Sequence, residues 1–298
     1  MFCLPFFLAN AIGFAAAQTS SASAIASQYS LSTSTKLPMP TKTMASSSAT
    51  SFVKASWAAT GVDGAPNMAF VPDPFPTATA SPVLRVTYPS GSYSHPNTAG
   101  AQFYSHWEAP SGTKWHSMLL SYEVAFDSGF TWVKGGKLPG LRGGTDTADC
   151  SGGHIANGSN CFSSRLMWRT NGAGEVYAYF LLPEGLCNDP DFICNADNYG
   201  TSIDRGSFSW NSGEWSKVTL LVRLNNPVDN ANGQVTLYHD DVEALHESNL
   251  QYRNSSVVDI GGLFFSTFFG RSTSDWAPPS DMHAYFRNFE MWAASVAV

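Results

Sequence analysis

FSSRLMWRTNGAGEVYAYF, residues 162–180, is the stretch that decides how this chain folds. Two alternating runs, FSSRLMWR (162–169) and EVYAYF (175–180), flank a turn-forming TNGAG segment, a pattern that reads as a β-hairpin. A five-residue turn over 170–174 would set Arg165 opposite Tyr179 and Met167 opposite Tyr177. Side chains alternate along a strand, so Ser163, Arg165, Arg169, Tyr177 and Tyr179 share one face, while Leu166, Trp168, Val176 and Phe180 share the other. One face is apolar and the other carries functional groups.

Working outward, further short apolar runs read as strands. They are VLRVTY (83–88), SMLLSYEVAF (117–126), WSKVTLLVRL (215–224), QVTLYH (234–239), GGLFFSTFF (261–269) and HAYFRNFEMWA (283–293). Clusters of Gly, Pro, Asn and Asp separate them, and helical periodicity is scarce. The expectation is an all-β protein, a two-sheet antiparallel sandwich of the jelly-roll kind, forming a single domain over 61–298.

The chain opens with MFCLPFFLANAIGFAAA (1–17), which reads as a secretory signal peptide too short for a membrane span. From 18 to 50, 16 of 33 residues are Ser or Thr and none is acidic, so 18–60 is expected to be a low-complexity linker that buries no core. Four cysteines remain after Cys3 leaves with the signal. Their spacings suggest local disulfides, 150 with 161 and 187 with 194, although three pairings are formally open. Neither spacing suits a structural zinc site. Asn157 and Asn254 begin glycosylation sequons, in keeping with a secreted glycoprotein.

The whole chain is acidic, at formal net −7. Residues 134–169 instead hold five cations (Lys134, Lys137, Arg142, Arg165, Arg169) against two acids (Asp146, Asp149), a local net of +3. A cationic groove on an acidic secreted chain favours an acidic polysaccharide as partner over nucleic acid, which would require a pervasive basic surface. No GxSxG elbow, phosphate loop or dinucleotide fingerprint is present. The acidic residues near predicted strands show no pairing that would mark a glycosidase.

GGKLPGL (135–141), then SxRLMWR, then YxY, then FSTFFGRSTSDWAP (265–278) and AYFRNFEMW (284–292) together resemble polysaccharide lyase family fourteen, in a secreted, fungal-type form. The resemblance covers about residues 80–298 and implies a jelly-roll lyase that cuts alginate or β-1,4-glucuronan by β-elimination without a cofactor or metal. It also implies catalytic roles for Lys137, Ser163, Arg165, Tyr177 and Tyr179, with the acid/base work mainly on Tyr179. Two departures stand out. The segment between Lys137 and Ser163 is longer than the pattern, and residues 270–272 read GRS where a second glycine is expected.

Chemically, the set is coherent. Removing the C5 proton of a uronate requires its carboxylate to be neutralised, which suits a lysine point charge and an arginine fork. A tyrosine among cations can serve as the base. Ser163 is expected to orient the carboxylate or a hydroxyl, and Lys134, Arg142, Arg169 and His154 to line the groove, with His154 a second candidate base; GGKLPG taken alone also reads as a plausible turn. A monomer with no nucleic-acid or membrane partner is expected. The competing readings are a non-catalytic polysaccharide-binding jelly roll and, with less support, a β-glucan hydrolase.

Overall fold

The computed structural model describes residues 19–75, 81–94, 99–109, 112–145, 150–195 and 199–297. The signal-like run, and Asp146 and Asp149, lie outside them. The N-terminal part supplies α1 (Ala22–Gln28), β1 (Thr33–Lys36), α2 (Ser46–Ser56), β2 (Ala59–Asp63) and β3 (Met68–Val71). There follow β4 (Val83–Tyr88), β5 (Ala101–His106), β6 (Ser117–Phe126), β7 (Gly135–Gly144), β8 (Cys161–Arg169) and β9 (Gly174–Tyr179). The chain continues through β10 (Phe192–Ile193), β11 (Thr201–Ile203), β12 (Trp215–Arg223), β13 (Gly233–His239), β14 (Val242–Leu250), β15 (Ile260–Phe269) and β16 (Met282–Ala294).

These strands form two eight-stranded antiparallel sheets packed as a jelly roll, as the strand pattern predicts. One runs β14-β13-β12-β6-β16-β4-β3 with β1 added along β16; the other runs β10-β11-β9-β8-β7-β15-β5-β2. The apolar halves of the alternating strands meet between the sheets. Leu120, Tyr122, Val124 and Phe286 of the first sheet share a buried cluster with Phe103, Leu166, Trp168 and Phe265 of the second. Phe103 stacks on Phe265 with ring centroids 4.5 Å apart.

Three local expectations are corrected. In the hairpin, Ser163 pairs with Tyr179, Arg165 with Tyr177 and Met167 with Glu175, two residues from the expected register. The turn is tighter because Asn171 and Gly172 both take left-handed backbone, at φ 60° and 78°. The Arg169 N–H then donates to the Ala173 carbonyl at 2.7 Å. A slip of two preserves which face each side chain takes, so the functional face survives the error.

The GGKLPG run is not a turn but the start of β7, a buried strand in the middle of its sheet. Gly136 is obligatory there, since a Cβ would lie 2.1 Å from the Trp168 ring. Pro139 falls where the β7–β8 pairing is irregular, between Leu138 and Leu141. Its missing N–H therefore breaks no regular ladder.

The Ser/Thr-rich segment is no linker over its described part. Ile25 and Ala26 of α1 pack on the outer side of the first sheet with Leu119 and Leu221. On α2, Ala49 and Val53 are buried, and Trp57 just beyond it is 1 % exposed, its ring set against Phe70, Phe103 and Phe289. Its indole N–H donates to the Pro38 carbonyl at 2.7 Å. Small and apolar residues at helical spacing suffice to bury a stripe even in a serine-rich sequence. Trp57→Ala should therefore lower unfolding free energy by about 3–5 kcal/mol in a denaturant titration, whereas a tryptophan on a loose linker would cost nothing measurable.

Candidate active site

The order β9-β8-β7-β15 sets four functional strands side by side on the outer face of the second sheet. Lys137 on β7 pairs with Met167 on one side and Phe268 on the other. Arg165 on β8 pairs with Tyr177. Lys137, Arg165, Tyr177, Tyr179 and Phe268 line a cleft of 340 Å³, which also takes in His154, Gln102, Tyr199 and Arg271. No Asp or Glu is among its described lining residues, while three cations are: Lys137, Arg165 and Arg271.

Lys137 is only 8 % exposed. Its Nζ lies 3.3 Å from the Tyr177 ring centroid and 2.8 Å from Met167 Sδ, a weak acceptor. Burial, reinforced by the charges of Arg165, Arg169 and Arg271, pushes its pKa well below the ordinary lysine range. Arg165 is 1 % exposed, with its guanidinium carbon 4.5 Å from the Phe264 centroid. Nη1 donates to Ser266 Oγ at 3.1 Å, and that hydroxyl donates onward to Gln102 Oε1 at 2.9 Å. Its buried Nε has no hydrogen-bond partner among the described residues. A buried, unfilled N–H on a cation in a cleft is suited to an incoming anion.

The tyrosines differ in their surroundings. Their rings meet edge-on at 5.9 Å. Burial, and next the neighbouring Tyr179, push the Tyr177 phenol above its ordinary value, against the opposing pull of Arg165 and Arg169. Tyr179 Oη instead accepts the Gly153 N–H at 3.2 Å. Gly153 belongs to the loop closed by the Cys150–Cys161 disulfide; the second disulfide joins Cys187 to Cys194. Both bridges follow the expected local pairing.

Not every expected residue reaches the cleft. The Ser163 hydroxyl is fully buried and donates to the Cys150 carbonyl at 2.7 Å, so it braces the disulfide loop. Arg142 is buried with its guanidinium 4.5 Å from the Tyr104 ring and is not among the lining residues of the cleft. Arg169 is tied to Glu175 at 2.5 Å and to Ser202, and Arg205 grips the other Glu175 oxygen at 2.7 Å. This clamp lies beneath Tyr177, whose backbone pairs with Ser202. Lys134 forms an exposed ion pair with Asp275 away from the lining. His154 does reach the cleft, from the exposed surface of the disulfide loop.

Tyr199, Gln102 and Arg271 went unread in the sequence. Only Arg271 left a trace, as the non-glycine at the GRS position.

Asp191, Asp204 and Glu247 bring ligand atoms within 4.8 Å of one another, the one described cluster able to hold a cation, and none of them lines the cleft. Burial, then the Asp204 charge, pushes Glu247 up to about 7. Its proton hydrogen-bonds Asp204, tying the end of β11 to β14 and so one sheet to the other.

The fold and the groove define a jelly-roll protein with an open, cation-lined cleft on one sheet. The chain belongs to polysaccharide lyase family 14, whose model matches residues 76–289, and it is accordingly a polysaccharide lyase. Among solved structures it is similar to the alginate lyase from Aplysia kurodai, at 32% identity and TM-score 0.72 over 86% of this chain and 100% of that one. Alginate lyase Aly36B, at 19% identity and TM-score 0.64 over 87% and 96% of the two chains, shares the fold. So does an alginate lyase from Chlorella virus, at 21% identity and TM-score 0.59 over 85% and 99%. No curated protein matches the chain.

Two outcomes are expected. Gly200 abuts both tyrosines, and a Cβ there would lie 2.7 Å from Tyr179 and 2.8 Å from Tyr177. Gly200→Ala should thus lower kcat roughly 100-fold in a steady-state assay, with a stability loss of about 1–3 kcal/mol because the Ala178 carbonyl also lies 2.8 Å from the new Cβ. Separately, the raised Glu247 pKa contributes stability that is complete below its ordinary value of 4.5 and is lost as pH rises through about 7. A melting-temperature series across that window should fall for the native chain and flatten for Glu247→Gln.

Proposed function

We propose that this lyase cleaves a 4-linked uronic acid polymer, alginate or β-1,4-glucuronan, by β-elimination. The observation that carries this reading is the cleft lining itself, with three cations and no carboxylate among its described residues. Such a lining attracts a polyanion and lacks the paired acids that glycoside hydrolysis requires.

The uronate carboxylate sits against Arg165 and Lys137, the two cations of the lining nearest the tyrosine pair on neighbouring strands. A bound carboxylate favours the charged form of Lys137 that burial disfavours. Both charges then stabilise the dianion that develops as C5 loses its proton. Tyr179 acts as the base that takes that proton, its oxygen held in place by the Gly153 N–H at 3.2 Å. Tyr177, held protonated by burial, supports it through a hydrogen bond. The C5–H electrons form the C4–C5 double bond, the C4–O4 bond breaks, and O4 leaves with the proton carried by Tyr179. No water is consumed and no metal is required for carboxylate neutralisation, since Lys137 and Arg165 supply the charge.

Two disulfides fit an extracellular enzyme, and no described helix is long and apolar enough to cross a membrane. We take the chain to act outside the cell, where such polymers are found.

Incubation with alginate, polymannuronate, polyguluronate and glucuronan in turn should raise ultraviolet absorbance, from the new conjugated double bond, with at least one of them. Tyr179→Phe should reduce that rate by about 10²–10⁴-fold while polymer binding is retained. Binding without absorbance on all four would identify a polysaccharide-binding module instead. Undiminished turnover in Tyr179→Phe would move the proton transfer to Tyr177 or His154.

A further inference from the structure

The cleft lining holds one cation that the elimination chemistry leaves unused. Arg271 enters it from the loop after β15, at the position where the family pattern calls for glycine. The backbone beneath is pinned, because the Gly270 N–H donates to the Gly135 carbonyl at 3.0 Å, at the head of the strand that bears Lys137. The guanidinium carbon lies 4.9 Å from the Tyr199 ring centroid, and Nη2 donates to Asn195 Oδ1 at 3.2 Å. Asn195 is itself held: its Nδ2 donates to the Gly200 carbonyl at 2.5 Å, and its chain neighbour Cys194 is bridged to Cys187.

All of these partners are neutral. Arg169, Arg205 and Lys134 are paired with carboxylates, but no such ion pair engages Arg271 among the described residues. A guanidinium oriented by a ring and an amide keeps its whole charge and its remaining N–H donors for a ligand. It cannot act as an acid or base, because arginine does not release its proton under these conditions. Its use must therefore be binding.

A uronan carries a carboxylate on every sugar, so a chain lying along the cleft presents a further anion beyond the one met by Lys137 and Arg165. We propose that Arg271, seated on Tyr199 and held by Asn195, binds the carboxylate of a second sugar and so forms a subsite beyond the one where the bond is cut. This rests on the uronan-lyase reading of the cleft. Substrates long enough to occupy both positions gain from Arg271, and shorter ones do not.

The test compares the native chain with Arg271→Gly, which restores the expected glycine, and with Arg271→Lys, which keeps charge but loses the fork. Calorimetric binding of tetramannuronate and tetraglucuronate is measured in a Tyr179→Phe background, beside KM and kcat on the cleaved polymer, with melting temperatures as a check on folding. Arg271→Gly should weaken tetrasaccharide binding and raise KM on the order of 10-fold, with a much smaller change in kcat. Lysine should restore only part of the loss. Against carboxyl-reduced tetrasaccharide the difference between native and variant should vanish. Equal affinity and KM in Arg271→Gly, or a loss that persists against the neutral sugar, overturns the subsite while native absorbance leaves the lyase reading intact. Arg271- and carboxylate-dependent binding with no absorbance from the native chain would support the subsite and refute the lyase reading; no binding of either tetrasaccharide refutes both.

Discussion

Each cation of the cleft rests on an aromatic ring instead of a carboxylate, and the arrangement of the site depends on that choice. Lys137 lies over Tyr177, Arg165 over Phe264 and Arg271 over Tyr199. Placing charge on a sheet face with little exposure costs several kcal/mol per ion, and a ring face returns only about 0.5–2 kcal/mol of it. A carboxylate would return more but would also cancel the charge. The rings stabilise without neutralising, so the positive potential stays available to a ligand. Where the same sheet does use a carboxylate, at Glu175, the two arginines around it are occupied and lie outside the cleft lining.

The tyrosines are fixed from two sides by close approach. Gly200 brings the Tyr199 loop against their rings, and Gly153 brings the first disulfide loop onto the Tyr179 hydroxyl. Ser163 enters this assembly from behind, through the Cys150 carbonyl. A residue marked as substrate-facing by its spacing thus acts on the phenol through the backbone of a bridged loop. One disulfide closes the loop whose Gly153 contacts Tyr179, and the other ends beside Asn195, the partner of Arg271, so both bridges bear on the shape of the cleft.

Much of the fold could be read from alternation alone. β4 and β6 fall where their apolar runs place them, and the hairpin keeps its chemical face despite a register error, because a slip of two is invisible to a period of two. β7 was hidden for the opposite reason. Its glycines look like turn residues until the Trp168 ring across from Gly136 is known. The N-terminal helices were masked by serine, which conceals a buried stripe of Ala, Val and Trp from any composition-based view. In the site, alternation along the hairpin put Arg165, Tyr177 and Tyr179 on one face, while Lys137 was legible only through the resemblance of GGKLPG to the family motif. The pairing of Arg169 with Glu175 and the arrival of Tyr199 and Arg271 depend on nonlocal contacts that spacing does not encode.

β16 is thirteen residues long and runs through the interior of its sheet, between β6 on one side and β4 and β1 on the other. In chain order it comes after every strand with which it pairs. Until it docks, three earlier strands lack the neighbour that joins them, and the helix packed outside that sheet has an incomplete surface to cover. Strand pairing of such long sequence separation is slow to form. The protein therefore carries its own timer: the first sheet cannot close on β1, β4 and β6 until β16 reaches them.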